Sequence, residues 1–380
     1  RADRVADGRV LVVLALAGAV LVVLAVALLG RRALSERARV RLARVFAVAS
    51  LAGVLAAGGA LAVAVAGAAT TESSCAELAN EPGRYGSLDL SNRWCWWSEA
   101  WDVYEANAPE GAGAGTFEIA RKRYRSDARN VVQPHSVPLQ MLADGGLVAL
   151  GLFAAVVLAG ALVCLCALRR LRGGERAAAL ALAGLPLAYL LHALADYDWD
   201  FLAVTGPAFA ALGVLAGACR IPGARRRRPL LAVGAVLLLA GALVSFSFPR
   251  LAEESVRAST RALDDGDYAR AEDLARWARF FNPLSVEPIL AQARIAEVRG
   301  FRNTAEKRYI RAVELQPENP ETWYALGLYE LQVLRNLCAA YVFLNDAYTL
   351  DPAGRQWYPG GPLDVARDAV DAGACPAGDD

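Results

Sequence analysis

What most constrains this chain is a set of uncharged apolar runs, each about as long as a membrane is thick. A helix rising 1.5 Å per residue needs roughly 20 apolar residues to cross a hydrocarbon core of about 30 Å. Six runs approach or exceed that length: residues 10–29, 45–69, 147–168, 177–195, 202–219 and 230–246. Pro186 and His192 interrupt the fourth, and Gly206 and Pro207 the fifth. Such residues are tolerated where neighbouring helices re-satisfy the backbone. At 56% hydrophobic and 21% charged, the chain is too apolar for an ordinary soluble protein and too charged to be membrane throughout, so two regimes share it. A net charge of +1 gives no argument for nucleic acid.

Arginine placement orients the spans, because basic residues in short loops are held on the cytoplasmic side. Arg31, Arg32, Arg37, Arg39, Arg41 and Arg44 lie between spans one and two. Arg169, Arg170, Arg172 and Arg176 lie between three and four, and Arg220 with Arg225 to Arg228 between five and six. This alternation puts the long loop, the short ADYDWDF segment and everything beyond Phe248 on the outer face. It divides the chain into residues 1–69, two spans with a basic cytoplasmic loop; 70–140, an extracytoplasmic loop; 141–248, four spans; and 249–380, an extracytoplasmic domain. The chain opens at RADRVADGRV, directly before a span and without an initiator Met, so we expect it to be the C-terminal part of a longer protein.

Cys75 and Cys95 in the outer loop, and Cys338 and Cys375 in the outer domain, are disulfide candidates in an oxidising compartment. Cys164, Cys166 and Cys219 fall in spans near the inner face.

Beyond Leu251 the sequence becomes charged, Ala-rich and repetitive. Ala271, Glu272, Ala278 and Pro283 return as Ala305, Glu306, Ala312 and Pro317, and then as Ala340, Ala347 and Pro352. A period of about 34 residues, with small residues at fixed helix positions and Pro closing each unit, is the tetratricopeptide pattern. Trp323, Leu326 and Gly327 match its first helix, with Tyr329 one place early. Stacked helix pairs of this kind present a concave surface to partners, and the WYPGGPLD tail would cap the stack. The expected fold is therefore all-α: a polytopic membrane helical bundle of six spans, followed by a tetratricopeptide-type α-solenoid. A generic helical hairpin domain is the alternative.

The polar, aromatic loop from Arg93 to His135 contrasts with everything around it. It contains RWCWW, then Pro109, Gly111, Gly113, Gly115 and Phe117 at alternate positions, the basic run Arg121, Lys122, Arg123 and Arg125, and one of two histidines, followed by Ser136. The GAGAG run is not a dinucleotide fingerprint, since no strand precedes it. It reads as a turn that lets the loop backbone approach the membrane or a substrate.

Taken in order, an Arg then a Trp, P-x-G-x-G-x-G-x-F, a His with a small polar neighbour, and Gly145–Gly146 opening a span resemble the O-antigen ligase family of polytopic glycopolymer transferases. HALADYDWDF is similar to a His-x-x-x-Asp-aromatic stretch in members that carry C-terminal tetratricopeptide repeats. The resemblance covers about residues 45–246. This chain departs from the family in having six spans where ten or more are usual, and Ser136 where Asn is frequent.

The resemblance implies transfer of a glycan from a polyprenyl-diphosphate carrier to an acceptor hydroxyl, with no nucleotide sugar and no cofactor. Arg93 would hold the diphosphate and His135 would orient or deprotonate the hydroxyl. A guanidinium suits phosphate oxygens, and imidazole titrates near neutrality. Arg121, Lys122, Arg123 and Arg125 could bind carrier phosphate or lipid headgroups, or could form a solvated face. His192 and Asp196, four apart and hence on one helical face, read as structural or supporting the site. Two histidines on separate segments make no metal site. The partners implied are the lipid-linked glycan, membrane lipid and a protein or glycopolymer at the repeats. The setting is the plasma (inner) membrane. Ligase and polymerase are not separable by sequence. A non-catalytic scaffold acting through its repeats is the rival of another class, and a transporter is disfavoured by the lack of an inverted repeat.

Overall fold

The computed structural model describes residues 93–219 and 229–375. The expected spans at 10–29 and 45–69, Cys75, and the basic loop from Arg220 to Arg228 lie outside the described residues. Those described are helical, with no strand among them. The chain divides into two units. The first holds residues up to Arg121 and from Arg129 to Ala224; the second holds Lys122–Ala128 and Arg225–Asp380.

In the first unit, α1 (Arg93–Ala106) and the single turn α2 (Phe117–Ala120) precede three apolar helices, α3 (Val137–Arg170), α4 (Gly173–Ala193) and α5 (Leu202–Ala218). Helix α1 packs on α3, and α3, α4 and α5 pack on one another. Ala167, Ala179 and Leu215 form the centre of their contact. Several large apolar side chains of α3 point outward instead: Leu147, Val148 and Leu152 are 54%, 72% and 64% exposed. A long helix apolar on its exposed side is a membrane-facing helix.

Among the described residues, three helices are long and apolar enough to cross a membrane: Val137–Arg170, Gly173–Ala193 and Val236–Asp264. The expected span at 202–219 becomes the 17-residue helix α5. At 1.5 Å per residue it is about 26 Å long, slightly short of the hydrocarbon core. Cys166 and Cys219 are joined by a disulfide, a pairing the sequence reading did not include.

The second unit begins with α6 (Pro229–Asp264), which starts as an apolar helix and continues without a break into charged sequence. The change of composition near Leu251 therefore falls inside a helix, and not at a linker. Arg250–Glu254 and Arg257–Glu253 pairs stabilise the charged part on its exposed side. Then follow α7 (Tyr268–Phe281), α8 (Glu287–Val298), α9 (Arg302–Leu315), α10 (Pro320–Tyr329), α11 (Leu337–Leu350) and α12 (Pro362–Asp371), each packed on the next.

The recurring small residues explain that packing. Ala271, Ala278, Ala305, Ala312, Ala340 and Ala347 are all fully buried, so helix backbones approach closely at each. A Cβ on Gly327 would lie 2.7 Å from Leu344 Cγ, which is why glycine stands there. The recurring prolines explain the helix ends. Helices α7, α9 and α11 stop at Phe281, Leu315 and Leu350, and the following Asn282, Gln316 and Asp351 take φ of −136°, −136° and −151°. Each precedes a proline, whose ring pushes its predecessor out of the helical region. Leu363 and Ala366 of α12 close the stack against Leu344, and a disulfide joins Cys338 to Cys375.

Candidate functional site

The polar loop of the first unit is built onto a break in α3. At Gly146 the backbone leaves the helix, with φ 60° and ψ −151°. An unbroken helix would pair Ala143 O with Leu147 N. Here Ala143 O accepts from Ala112 N at 2.8 Å, and Leu147 N donates to Pro109 O at 3.0 Å. Gly113 N donates to Asp144 O at 2.8 Å, and Asp144 Oδ1 accepts from Phe117 N at 3.0 Å. Loop backbone has entered the helix ladder, an identifiable cause of a kink. The contact needs glycine on both sides. A Cβ on Gly146 would lie 1.9 Å from Pro109 O, and one on Gly111 2.5 Å from Gly146 N. The GAGAG run is a turn, as expected, but what its backbone approaches is the kinked helix.

Docking the turn there brings the two ends of the loop together on one carboxylate. Arg93, at the start of α1, donates from NH2 to Asp196 Oδ2 at 3.1 Å. His135 Nδ1 lies 3.0 Å from Asp196 Oδ1. The same oxygen accepts from Tyr197 N at 3.0 Å, which fixes the carboxylate. An ionised carboxylate only accepts, so with Asp196 ionised the proton shared in this contact sits on His135 Nδ1. The three side chains are 30%, 23% and 23% exposed, so water and a substrate can reach them.

His135 itself is held on several sides. Trp96 stacks on its ring at 4.6 Å, and Tyr197 meets it edge-on at 4.5 Å. Its backbone is left-handed, φ 54°, and its carbonyl accepts from Trp97 Nε1 at 3.2 Å. A left-handed histidine is costly and persists only where its surroundings over-determine it. Gln133 and Asp200 tie the neighbouring strands of chain together at 2.8 Å.

Other expected positions fall elsewhere. His192 is exposed on the last turn of α4. Asp196 does not share a helical face with it, because α4 ends at Ala193 and Asp196 lies in the turn beyond. Each of the four cations offered to phosphate by the sequence meets a carboxylate: Arg121 with Glu99 in the first unit, and Lys122, Arg123 and Arg125 with Glu321, Glu318 and Asp351 in the second. Arg121 is completely buried. Cys95 is buried in α1. The roles of Trp96, Tyr197 and Gly146 escaped the sequence reading. Their only signal was position, Trp96 in the aromatic cluster after Arg93 and Tyr197 beside Asp196. Among the described residues, no group of three or more His, Cys, Asp or Glu side chains is placed to hold a metal ion.

An Arg and a His converging on one Asp at the edge of apolar helices can hold an anionic leaving group and accept a proton from a hydroxyl. Comparison with known proteins points the same way. Residues 8–154 match the family model for O-antigen ligase. That match takes in α1, the Gly-rich turn, His135 and the Gly146 kink, and supports glycosyl transfer of the O-antigen ligase or polymerase type in general. With the apolar helices it supports a membrane protein. No curated protein matches the chain. A solved TPR domain of Sgt2 from Aspergillus fumigatus is similar over 34% of this chain and 87% of its own, at 18% identity and a TM-score of 0.29, too slight a likeness to carry an argument.

Proposed function

We propose that this protein transfers a glycan from a polyprenyl-diphosphate carrier to an acceptor hydroxyl at the outer face of the inner (plasma) membrane. The observation that carries the reading is the convergence of Arg93 and His135, 42 residues apart in sequence, on the two oxygens of Asp196.

As the glycosidic bond to the carrier breaks, negative charge grows on the diphosphate. Fixed cationic donors are worth most there. Arg93 spends one terminal nitrogen on Asp196 and has further N–H donors in the same plane for phosphate oxygens. His135, with Nδ1–H directed to Asp196, takes the acceptor's hydroxyl proton at Nε2 as the oxygen attacks the anomeric carbon. Asp196 positions both groups and stabilises the imidazolium that forms. Trp96 and Tyr197 keep the ring from turning. No nucleotide is needed, since the activated donor is the lipid diphosphate.

Outward placement of the loop rests on the alternation of arginine-rich connections. The helices from Tyr268 to Asp371 are read as a tetratricopeptide-type solenoid from the period of about 34 residues and the buried alanines that repeat with it. Lengthening of a lipid-linked glycan, with the acceptor hydroxyl on a second lipid-linked chain, uses the same groups.

The test is Arg93→Ala and His135→Ala in the full-length protein, with surface glycan and lipid-linked glycan measured. Loss of transfer with build-up of the lipid-linked donor is expected at unchanged protein level. Normal surface glycan in both variants would sink the assignment and favour a scaffold.

A further inference from the structure

The polar loop lends one segment to the second unit. Lys122–Ala128 is part of that unit, although the chain on both sides of it belongs to the first. Its three cations are seated against carboxylates about 200 residues away in sequence. Lys122 Nζ lies 2.6 Å from Glu321 Oε1 and Arg123 NH2 2.7 Å from Glu318 Oε2. Arg125 makes a two-pronged contact with Asp351, Nε to Oδ1 at 2.9 Å and NH2 to Oδ2 at 2.8 Å.

These contacts differ in strength. Arg123 and Glu318 are 44% and 73% exposed, and such a pair holds little. Arg125 and Asp351 are 6% and 4% exposed, a buried and geometrically demanding pair in which loss of either partner strands a charge. Lys122 is 10% exposed. Beside it Glu287, whose carboxyl is pushed above its usual range by burial and by Glu321 and drawn back by Lys122, adds a further acid.

The receiving face is organised around helix ends. Glu321 is in the first turn of α10, and Asp351 follows the last residue of α11. Asp351 is itself braced: its carbonyl accepts from Trp357 Nε1 at 2.6 Å, and Oδ2 from Gln356 at 3.3 Å.

We infer that this acidic face of the repeats is a peptide-binding surface whose ligand is the chain's own segment Lys122–Ala128, and that Arg125 and Asp351 act as positioning residues for the loop carrying Arg93 and His135. The face fits a short peptide with Lys-Arg-x-Arg spacing, and such a peptide competes for it. The positioning role rests on the glycan-transfer reading; the seating of the segment does not.

Trypsin tests the seating directly, because it cleaves after Lys122 and Arg123. In the full-length protein purified in detergent, these sites are cut slowly. Asp351→Asn combined with Glu321→Gln is expected to speed cleavage there at least tenfold while sites elsewhere keep their rates. Unchanged cleavage in the double variant overturns the proposal. If cleavage rises everywhere, the exchanged pair Arg125→Asp with Asp351→Arg decides: restored protection upholds the seating, and continued exposure overturns it. Glycan transfer is read in parallel. A tenfold or greater loss on freeing the segment, reversed in the exchanged pair, supports positioning. Full transfer with a freed segment overturns it. An unaltered protein that transfers no glycan would count against the function and leave the trypsin result standing.

Discussion

His135 Nδ1 lies 3.0 Å from Asp196 Oδ1, across 61 residues of chain. The contact ties the histidine to the carboxylate that also receives Arg93. Asp196→Asn keeps the shape but can present an N–H where an acceptor is needed. Transfer should fall by about 10²–10⁴-fold, the range for losing a positioned acid–base group. An assay with purified lipid-linked glycan checks this. Activity within threefold of the unaltered protein would remove His135 from the chemistry.

Gly146→Ala places a methyl group 1.9 Å from Pro109 O, in a backbone that also has positive φ. The loop must then leave the kink, at a cost of about 1–3 kcal/mol. Amide exchange at Ala112, Gly113 and Leu147 should quicken and transfer should drop. Gly151→Ala, which meets open space in the same helix, is the control and should be silent.

Gly327→Ala drives a methyl group into Leu344, 2.7 Å from its Cγ. Overpacking of this kind costs about 1–3 kcal/mol. A lower thermal midpoint for the second unit is expected. An unchanged midpoint would mean that α10 and α11 can separate freely.

Glu330 is 4% exposed, with Oε2 lacking a hydrogen-bond partner. Burial, and then Glu306, push its carboxyl above the usual value near 4.5, and Asn336 opposes them. The folded protein therefore holds this proton more tightly than the unfolded chain. The associated stability is fully present below about pH 4.5 and is lost as pH rises through the folded-state pKa. Glu330→Gln should flatten that decline and raise the melting temperature at pH 7 by a few degrees. Melting curves from pH 4.5 to 8 would show it, and parallel curves for the two proteins would refute it.

Arg93 and His135 stood out in sequence because charge, aromatic rings and a rare histidine are conspicuous between apolar runs. Asp196 was visible too, but as a helix-face partner of His192. Its place at the centre of the site depends on α4 ending at Ala193, and the apolar run continues past that residue without marking the stop. The basic run 121–125 carries the same residues whether it meets phosphate or carboxylate. Its partners Glu318, Glu321 and Asp351 lie about 200 residues away, beyond the reach of any local pattern.

The sequence by itself determined that these segments are helical, that long apolar helices are among them, and where helices of the second unit end. Those properties follow from local rules: run length, the spacing of small residues, and the effect of Pro283, Pro317 and Pro352 on the residue before each. Tertiary structure alone decided that loop backbone replaces a helix bond at Gly146, and that Arg93 and His135 share one carboxylate. Both depend on atoms distant in sequence fitting within a few ångströms. Glycines and a carboxylate permit that fit, and only the folded chain shows that it occurs.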